Sequence, residues 1–207
     1  MYRKTPQVLA RLADKRDAIL TAAAAVAAAR GLDDLTVHGV AAHAKVAVGT
    51  LYGHFPNLDE IVAALVAERL AGDLAAMKAA ADLAAHQWAD PLRGLGAAIA
   101  VYVHRLRASP RLTTSLTARP AYRTGIVREL ERQIGRAASR GKIAKQSSAI
   151  LAMGAYGAVN ASILASMDDG SRRKHGPALV AMALRTAGVD NDQAWEIATM
   201  TSELVAA

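Results

Sequence analysis

The run "ILTAAAAVAAAR", Ile19 to Arg30, is mostly alanine, and alanine enrichment persists through the 207-residue chain. Alanine loses no side-chain freedom on entering a helix, and leucine and arginine follow it closely in helix preference. Alternating β-branched stretches and Asn-Gly hairpin signals are almost absent, so an all-α chain is expected. At this length an ordinary core can form without a disulfide or metal staple. Cysteine is absent, which excludes disulfides, thiolate metal sites and cysteine nucleophiles and suits a reducing compartment. Although 53% of residues are hydrophobic, alanine dominates that class, and no run of about 18 to 20 strongly apolar residues is evident. The opening stretch "MYRKTPQVLARLADKRD" is charged and lacks the apolar core of a secretory signal. A soluble cytoplasmic protein with no membrane partner is the expectation.

Glycine, proline and capping residues set the helix ends. A first helix is expected from about Asp14 to Arg30, stopped by Gly31 in left-handed conformation. Thr36 can cap a short helix from Val37 to Ala44, Lys45 and Val46 make a turn, and another short helix follows from Ala47 to about Gly53. Asn57 can then cap a long helix from Leu58 towards Ala85, with Asp59 and Glu60 at its positive end. Beyond Pro91, the apolar spacing of Leu92, Leu95, Ile99, Tyr102, Val103 and Leu106 predicts a fifth helix, ended by Ser109-Pro110. Later helices are expected at about Ala121 to Arg140, Ser147 to Met167, Pro177 to Ala187 and Asp192 to Val205, with Gly141, Gly170 and Gly188 between them. The connection "DDGSRRKHG" from Asp168 is polar and should be exposed. No internal repeat is evident.

A formal charge of +7 and a pI near 10.0 favour an anionic partner, nucleic acid or a membrane surface. Part of the excess is local, because Arg3, Lys4, Arg11, Lys15 and Arg16 precede the first long apolar segment and suggest a loose basic arm. Residues 36 to 53 outline two short helices joined by a tight turn, with an earlier helix to pack on: a helix-turn-helix. In such a motif the second short helix enters the major groove. Ala47, Val48, Gly49 and Thr50 leave little bulk between backbone and duplex, while Val40, Ala44 and Leu51 can face a core.

The stretch "ILTAAAAVAAARGLDDLTVHGVAAHAKVAVGTLYGHFPNLDEIV", Ile19 to Val62, resembles the DNA-binding domain of the TetR family of bacterial transcriptional regulators. The helix-one "IL.AA", the Gly31 stop, the Thr36 cap, the "VAAHA" helix and "GTLYGHF" follow in the family's order. The resemblance implies that Thr36, Tyr52 and His54 hold phosphates, that Val48, Gly49 and Thr50 lie against base edges, and that Leu51 and Phe55 fasten the domain to helix four. Hydroxyl, phenol and imidazole groups suit phosphate contact. Four positions depart from the family pattern. Lys45 stands at the usual turn glycine, where left-handed backbone costs about 1 to 2 kcal/mol and the ammonium can reach phosphate. Ala47 replaces a serine cap, Leu58 a lysine, and Ala27 a core phenylalanine. The arm at Arg3, Lys4 and Arg11 can compensate for lost phosphate contacts.

The domains expected are 12–72 for DNA binding and 73–207 for effector binding and dimerisation. Trp88, Tyr102, Tyr122, Tyr156 and Asn160 are candidate linings of an effector pocket, since such pockets combine aromatics with a few polar groups; Asn160 could instead bond Ser162. Family members dimerise through late helices, which nominates residues 147–167 and 177–187. Arg128, Arg132, Arg136 and Arg140 form one basic helix face, read as a solvated stripe partly paired with Glu129 and Glu131 or as an anion site. His38 and His43 lack a carboxylate at metal-ligand spacing and are read as surface residues.

These features lead to a homodimeric, ligand-responsive repressor on a pseudo-palindromic operator, without cofactor or metal. A protein-binding rather than ligand-binding C-terminal region is the alternative. An all-α enzyme is remote: Glu-x-x-His pairs, a phosphate-binding Gly-rich loop with Lys-Ser/Thr, and a Gly-x-Ser-x-Gly elbow are all missing.

Overall fold

The computed structural model describes residues 5–144, 146–165 and 175–206. Among these the elements are α1 (Pro6–Arg30), α2 (Val37–Ala44), α3 (Val48–Tyr52), α4 (Leu58–Trp88), α5 (Pro91–Ala108), α6 (Pro110–Thr117), α7 (Pro120–Ser139), α8 (Ser148–Ala165), α9 (Gly176–Thr186) and α10 (Asn191–Ala206), and no strand. They divide into two compact units. One takes the described residues up to Arg69 and adds Arg111–Leu116; the other takes Leu70–Pro110 and the described residues from Thr117 onward. α4 contributes residues to both.

In the first unit, Ile19, Ala23, Val40, Leu51, Phe55 and Ile61 are buried and form the core. Three sequence expectations are corrected. α1 begins at Pro6, not Asp14, because proline at the first helical position has no N–H to leave unsatisfied. Arg11, Lys15 and Arg16 are therefore exposed on helix rather than on a loose arm, while Arg3 and Lys4 lie outside the described residues. Gly31 has a positive φ of 98° but an extended ψ of 165°, not the left-handed cap geometry expected. Its backbone turn lets the Leu32 N–H donate to Ser115 Oγ at 3.2 Å.

The same donor acceptor leads to an element the sequence reading missed. Ser109-Pro110 does end α5, but Pro110 also starts α6, whose Arg111 donates to the Ala29 carbonyl at 2.8 Å. Residues 111–116 thus satisfy orphan backbone groups at the end of α1.

In the second unit α5 is central, packing on α7, α8, α9 and α10. Leu92, Leu95, Ile99, Tyr102, Val103 and Leu106 are all buried, as their spacing predicts; each large side chain so buried contributes about 1.5 to 3 kcal/mol. Gly96 permits the closest approach, since a Cβ there would stand 2.3 Å from Ile197 Cγ2.

α8 differs from expectation in its apolar length. Residues 148–165 are long and apolar enough to cross a membrane by length and composition, contrary to the reading of the sequence. The helix nevertheless packs on α7 and α9 and buries a hydrogen-bonded Asn160. Its apolar character does not translate into burial all round: Ile150 is 72% exposed, and Met153 and Leu164 are also exposed. Gly170 and most of the connection from Asp168 lie outside the described residues.

Candidate functional site

Thr36 caps α2 through its side chain, Oγ1 accepting the Gly39 N–H at 3.0 Å. The turn after α2 is the informative one. Lys45 has φ 56° and ψ 41°, Val46 N–H reaches Ala41 O at 3.0 Å, and Lys45 N–H reaches Ala42 O at 3.2 Å. This is a Schellman cap, which usually places glycine in the left-handed position. The chain uses the same bonding pattern at Gly141 and Gly188, both with positive φ. Lys45 alone of the three carries a side chain there, and it is exposed.

Ala47 offers α3 no side-chain cap; its carbonyl accepts the N–H groups of Thr50 at 2.9 Å and Leu51 at 3.2 Å. α3 runs Val48–Tyr52, a residue shorter at each end than expected. Its two sides differ sharply. Leu51 is fully buried, whereas Gly49 is exposed and a Cβ added there would meet nothing within 4 Å. Val48 and Thr50 are half-buried, Tyr52 is 51% exposed and His54 is half-buried. Phe55 is buried, with the Arg16 guanidinium 4.8 Å from its ring centroid. Asn57 Oδ1 accepts the Glu60 N–H at 2.9 Å and opens α4. Exposed His38 and His43 join no cluster of metal-ligating type among the described residues.

The second unit holds a buried polar cluster. Asn160 Nδ2 donates to Tyr102 Oη at 2.9 Å and to the Tyr156 carbonyl at 2.7 Å, rather than pairing with Ser162, whose hydroxyl faces Met182 Sδ at 3.7 Å. The Tyr102 and Tyr156 rings stack with centroids 6.1 Å apart and planes 23° apart. Burial, followed by the neighbouring Tyr156 and Tyr122, holds the Tyr102 phenol well above its ordinary range; burial likewise raises Tyr156. Tyr122 donates to Asp73 Oδ2 at 2.5 Å, and Asp73, fully buried, also takes an ion pair from Arg105. Neither Asp73 nor Arg105 was anticipated; α4 also carries Asp59, Glu60, Glu68 and Asp82, and their spacing does not mark Asp73 as the buried one. Trp88 takes no part in the cluster and instead has the Arg93 guanidinium 5.4 Å from its ring centroid.

On the basic face of α7, Arg132 pairs with Glu129 at 2.5 Å and Arg136 with Asp82 at 2.9 Å, while Arg128 and Arg140 are exposed.

A helix-turn-helix unit with an open recognition-helix face, in a chain with a second all-helical unit, defines the class: a protein with the fold of a bacterial helix-turn-helix regulator. Residues 19–65 match the family model described as bacterial regulatory proteins, tetR family. That match covers the helix-turn-helix region, and the rest of the chain is similar to members of the family in fold. Its fold is shared with RolR in complex with resorcinol (19% identity, 92% of this chain and 96% of that one, TM-score 0.68). It is also shared with SmeT, repressor of the Stenotrophomonas maltophilia multidrug efflux pump SmeDEF (23%, 82% and 88%, 0.65), and with TylP, a tetR regulator from Streptomyces fradiae (19%, 95% and 97%, 0.68). No curated protein sequence matches the chain.

Proposed function

We propose that the chain is a cytoplasmic transcriptional repressor that binds a pseudo-palindromic operator as a homodimer and is released by a small-molecule effector. The observation that carries this reading is the two-sided recognition helix: buried Leu51 on one side, and on the other Gly49 in open space beside exposed Tyr52. Val48, Gly49 and Thr50 would meet base edges; Thr36, Lys45, Tyr52 and His54 would hold phosphates. Arg11, with Arg3 and Lys4, would add phosphate contacts from the N-terminal side, Arg11 from helix rather than from a loose arm.

Dimerisation through α8 and α9 is supported by the exposed apolar stripe Ile150, Met153 and Leu164, next to half-buried Leu179 and Met182. Two-fold symmetry would set two recognition helices about 34 to 36 Å apart, one DNA turn. Tyr102, Tyr122, Tyr156 and Asn160 would form the effector region, in line with the ligand-bound state of RolR and the repressor role of SmeT. Trp88 is left out of that region by its packing on Arg93.

The test is binding of the purified protein to its own upstream DNA across a salt series. A preference over random duplex, with affinity falling linearly in log salt, is expected. Equal binding to both DNAs would sink the operator reading.

A further inference from the structure

α3 has little of its own to hold it in place. Its five residues are too few for a stable isolated helix, and Ala47 gives it no side-chain cap. It packs on α2, and Leu51 is its buried residue. The residues after it are more firmly set. Phe55 N–H donates to the Leu51 carbonyl at 2.9 Å, and Pro56 narrows the backbone freedom of Phe55 from the other side. The Phe55 ring, 2% exposed, is therefore fixed to the last turn of α3, so whatever holds the ring holds the helix.

The ring is met by α1. The Arg16 guanidinium lies over it, 4.8 Å from the centroid, inside the roughly 6 Å at which a cation is drawn to an aromatic face. Arg16 stands one turn before buried Ile19 and two before buried Ala23, so the core fixes the side of α1 from which it reaches out. Asp17 and Glu68 line the same cleft as Arg16, yet among the described residues neither forms an ion pair with it. The guanidinium takes the ring rather than an acid. α1 thus reaches α3 by two routes, through α2 and through Arg16 on Phe55.

We infer that Arg16 is a positioning residue for operator recognition: lying over Phe55, it ties α3 to α1 and sets how Val48, Gly49 and Thr50 meet the bases. The inference rests on the reading of this domain as operator-binding. An exposed arginine also suits a phosphate contact, and the two roles differ in what their loss leaves behind. Losing a phosphate contact weakens binding to every duplex alike and lowers the salt slope by about 1. Losing a positioning contact spares the phosphate contacts and blurs base readout, so preference falls while the slope stays. Lysine keeps part of the role, because an ammonium is also drawn to the ring; methionine keeps side-chain length without the charge.

The experiment uses the full chain with Arg16→Met, Arg16→Lys, Phe55→Leu and the pair Arg16→Met with Phe55→Leu. Fluorescence anisotropy is measured on the protein's own upstream DNA and on random duplex across a salt series, and urea unfolding is measured without DNA. Arg16→Met should cut the preference for upstream DNA by about two- to fivefold, the range that a cation over an exposed ring supports. The salt slope and the random-duplex affinity should stay nearly unchanged, and Arg16→Lys should keep most of the preference. In unfolding, the losses from Arg16→Met and Phe55→Leu should be less than additive, as contact between them requires. Four results overturn the inference: full preference in Arg16→Met, a slope lower by about 1 with both DNAs weakened alike, Arg16→Lys as poor as Arg16→Met, or additive losses in unfolding. Arg16 is exposed, so its single variants decide the matter even where Phe55→Leu fails to fold. No preference in the unmutated chain defeats the operator reading and the role of Arg16 with it; preference retained in Arg16→Met defeats only the role of Arg16.

Discussion

Lys45 occupies backbone space that glycine occupies in the two equivalent caps of the same chain. Left-handed backbone costs a non-glycine residue about 1 to 2 kcal/mol, and glycine returns part of that through greater freedom in the unfolded chain. Lys45→Gly should therefore raise stability by up to about 1 kcal/mol in urea unfolding, while weakening DNA binding and reducing the salt slope by about 1, as loss of one phosphate contact requires. Unchanged DNA affinity would assign Lys45 no contact. Gly49 makes the opposite kind of test. A methyl group has room there in the free protein, so Gly49→Ala should hold or raise the melting temperature, since alanine is about 1 kcal/mol better in helix. Yet it places bulk on the face proposed to enter the groove, and affinity for the protein's own upstream DNA should fall in the same anisotropy measurement.

Between elements, two kinds of contact hold the second unit together. One is close backbone approach: Gly96 lets α5 lie against Ile197 of α10. Gly96→Ala forces a shift and should destabilise by about 1 to 3 kcal/mol despite alanine's better helix preference. The other is the polar tie of α4 to α5 and α7 through Asp73, Arg105 and Tyr122. Removing one partner of a buried pair leaves an uncompensated charge, which costs about 3 to 5 kcal/mol when both are buried. Arg105 is 36% exposed, so water screens part of the loss and Arg105→Met should cost nearer about 2 to 3 kcal/mol. Asp73→Leu with Arg105→Met and Tyr122→Phe should recover much of it, because the buried charge goes and no buried hydroxyl loses its acceptor. A triple variant no more stable than Arg105→Met would show that the tie matters through packing instead. α6 shows the limit of punctuation read along the chain. Proline both ends one helix and begins the next, and only the bond Arg111 donates to the Ala29 carbonyl and the one Ser115 Oγ accepts from the Leu32 N–H reveal the second role.

At the scale of the molecule, the outstanding feature is apolar surface without a covering in the single chain: Ile150, Met153 and Leu164 along α8. Ile150→Glu with Met153→Glu should convert the proposed dimer to monomer in sedimentation velocity and abolish operator binding, because one recognition helix lacks its partner. Persistence of the dimer would move the interface elsewhere. The amino-acid sequence by itself determined the all-α class, most helix ends, the Thr36 and Asn57 caps, the turn at Lys45 and the family of residues 19–65. Those properties follow from local periodicity and capping, which act over a few residues. Only the tertiary structure decided that α6 exists and serves α1, that Asp73 and Arg105 meet Tyr122, that Trp88 packs on Arg93, and that an almost wholly apolar α8 keeps one side open. Each of these depends on residues far apart in the chain competing for the same partner or the same surface, and spacing along a sequence carries no record of that competition.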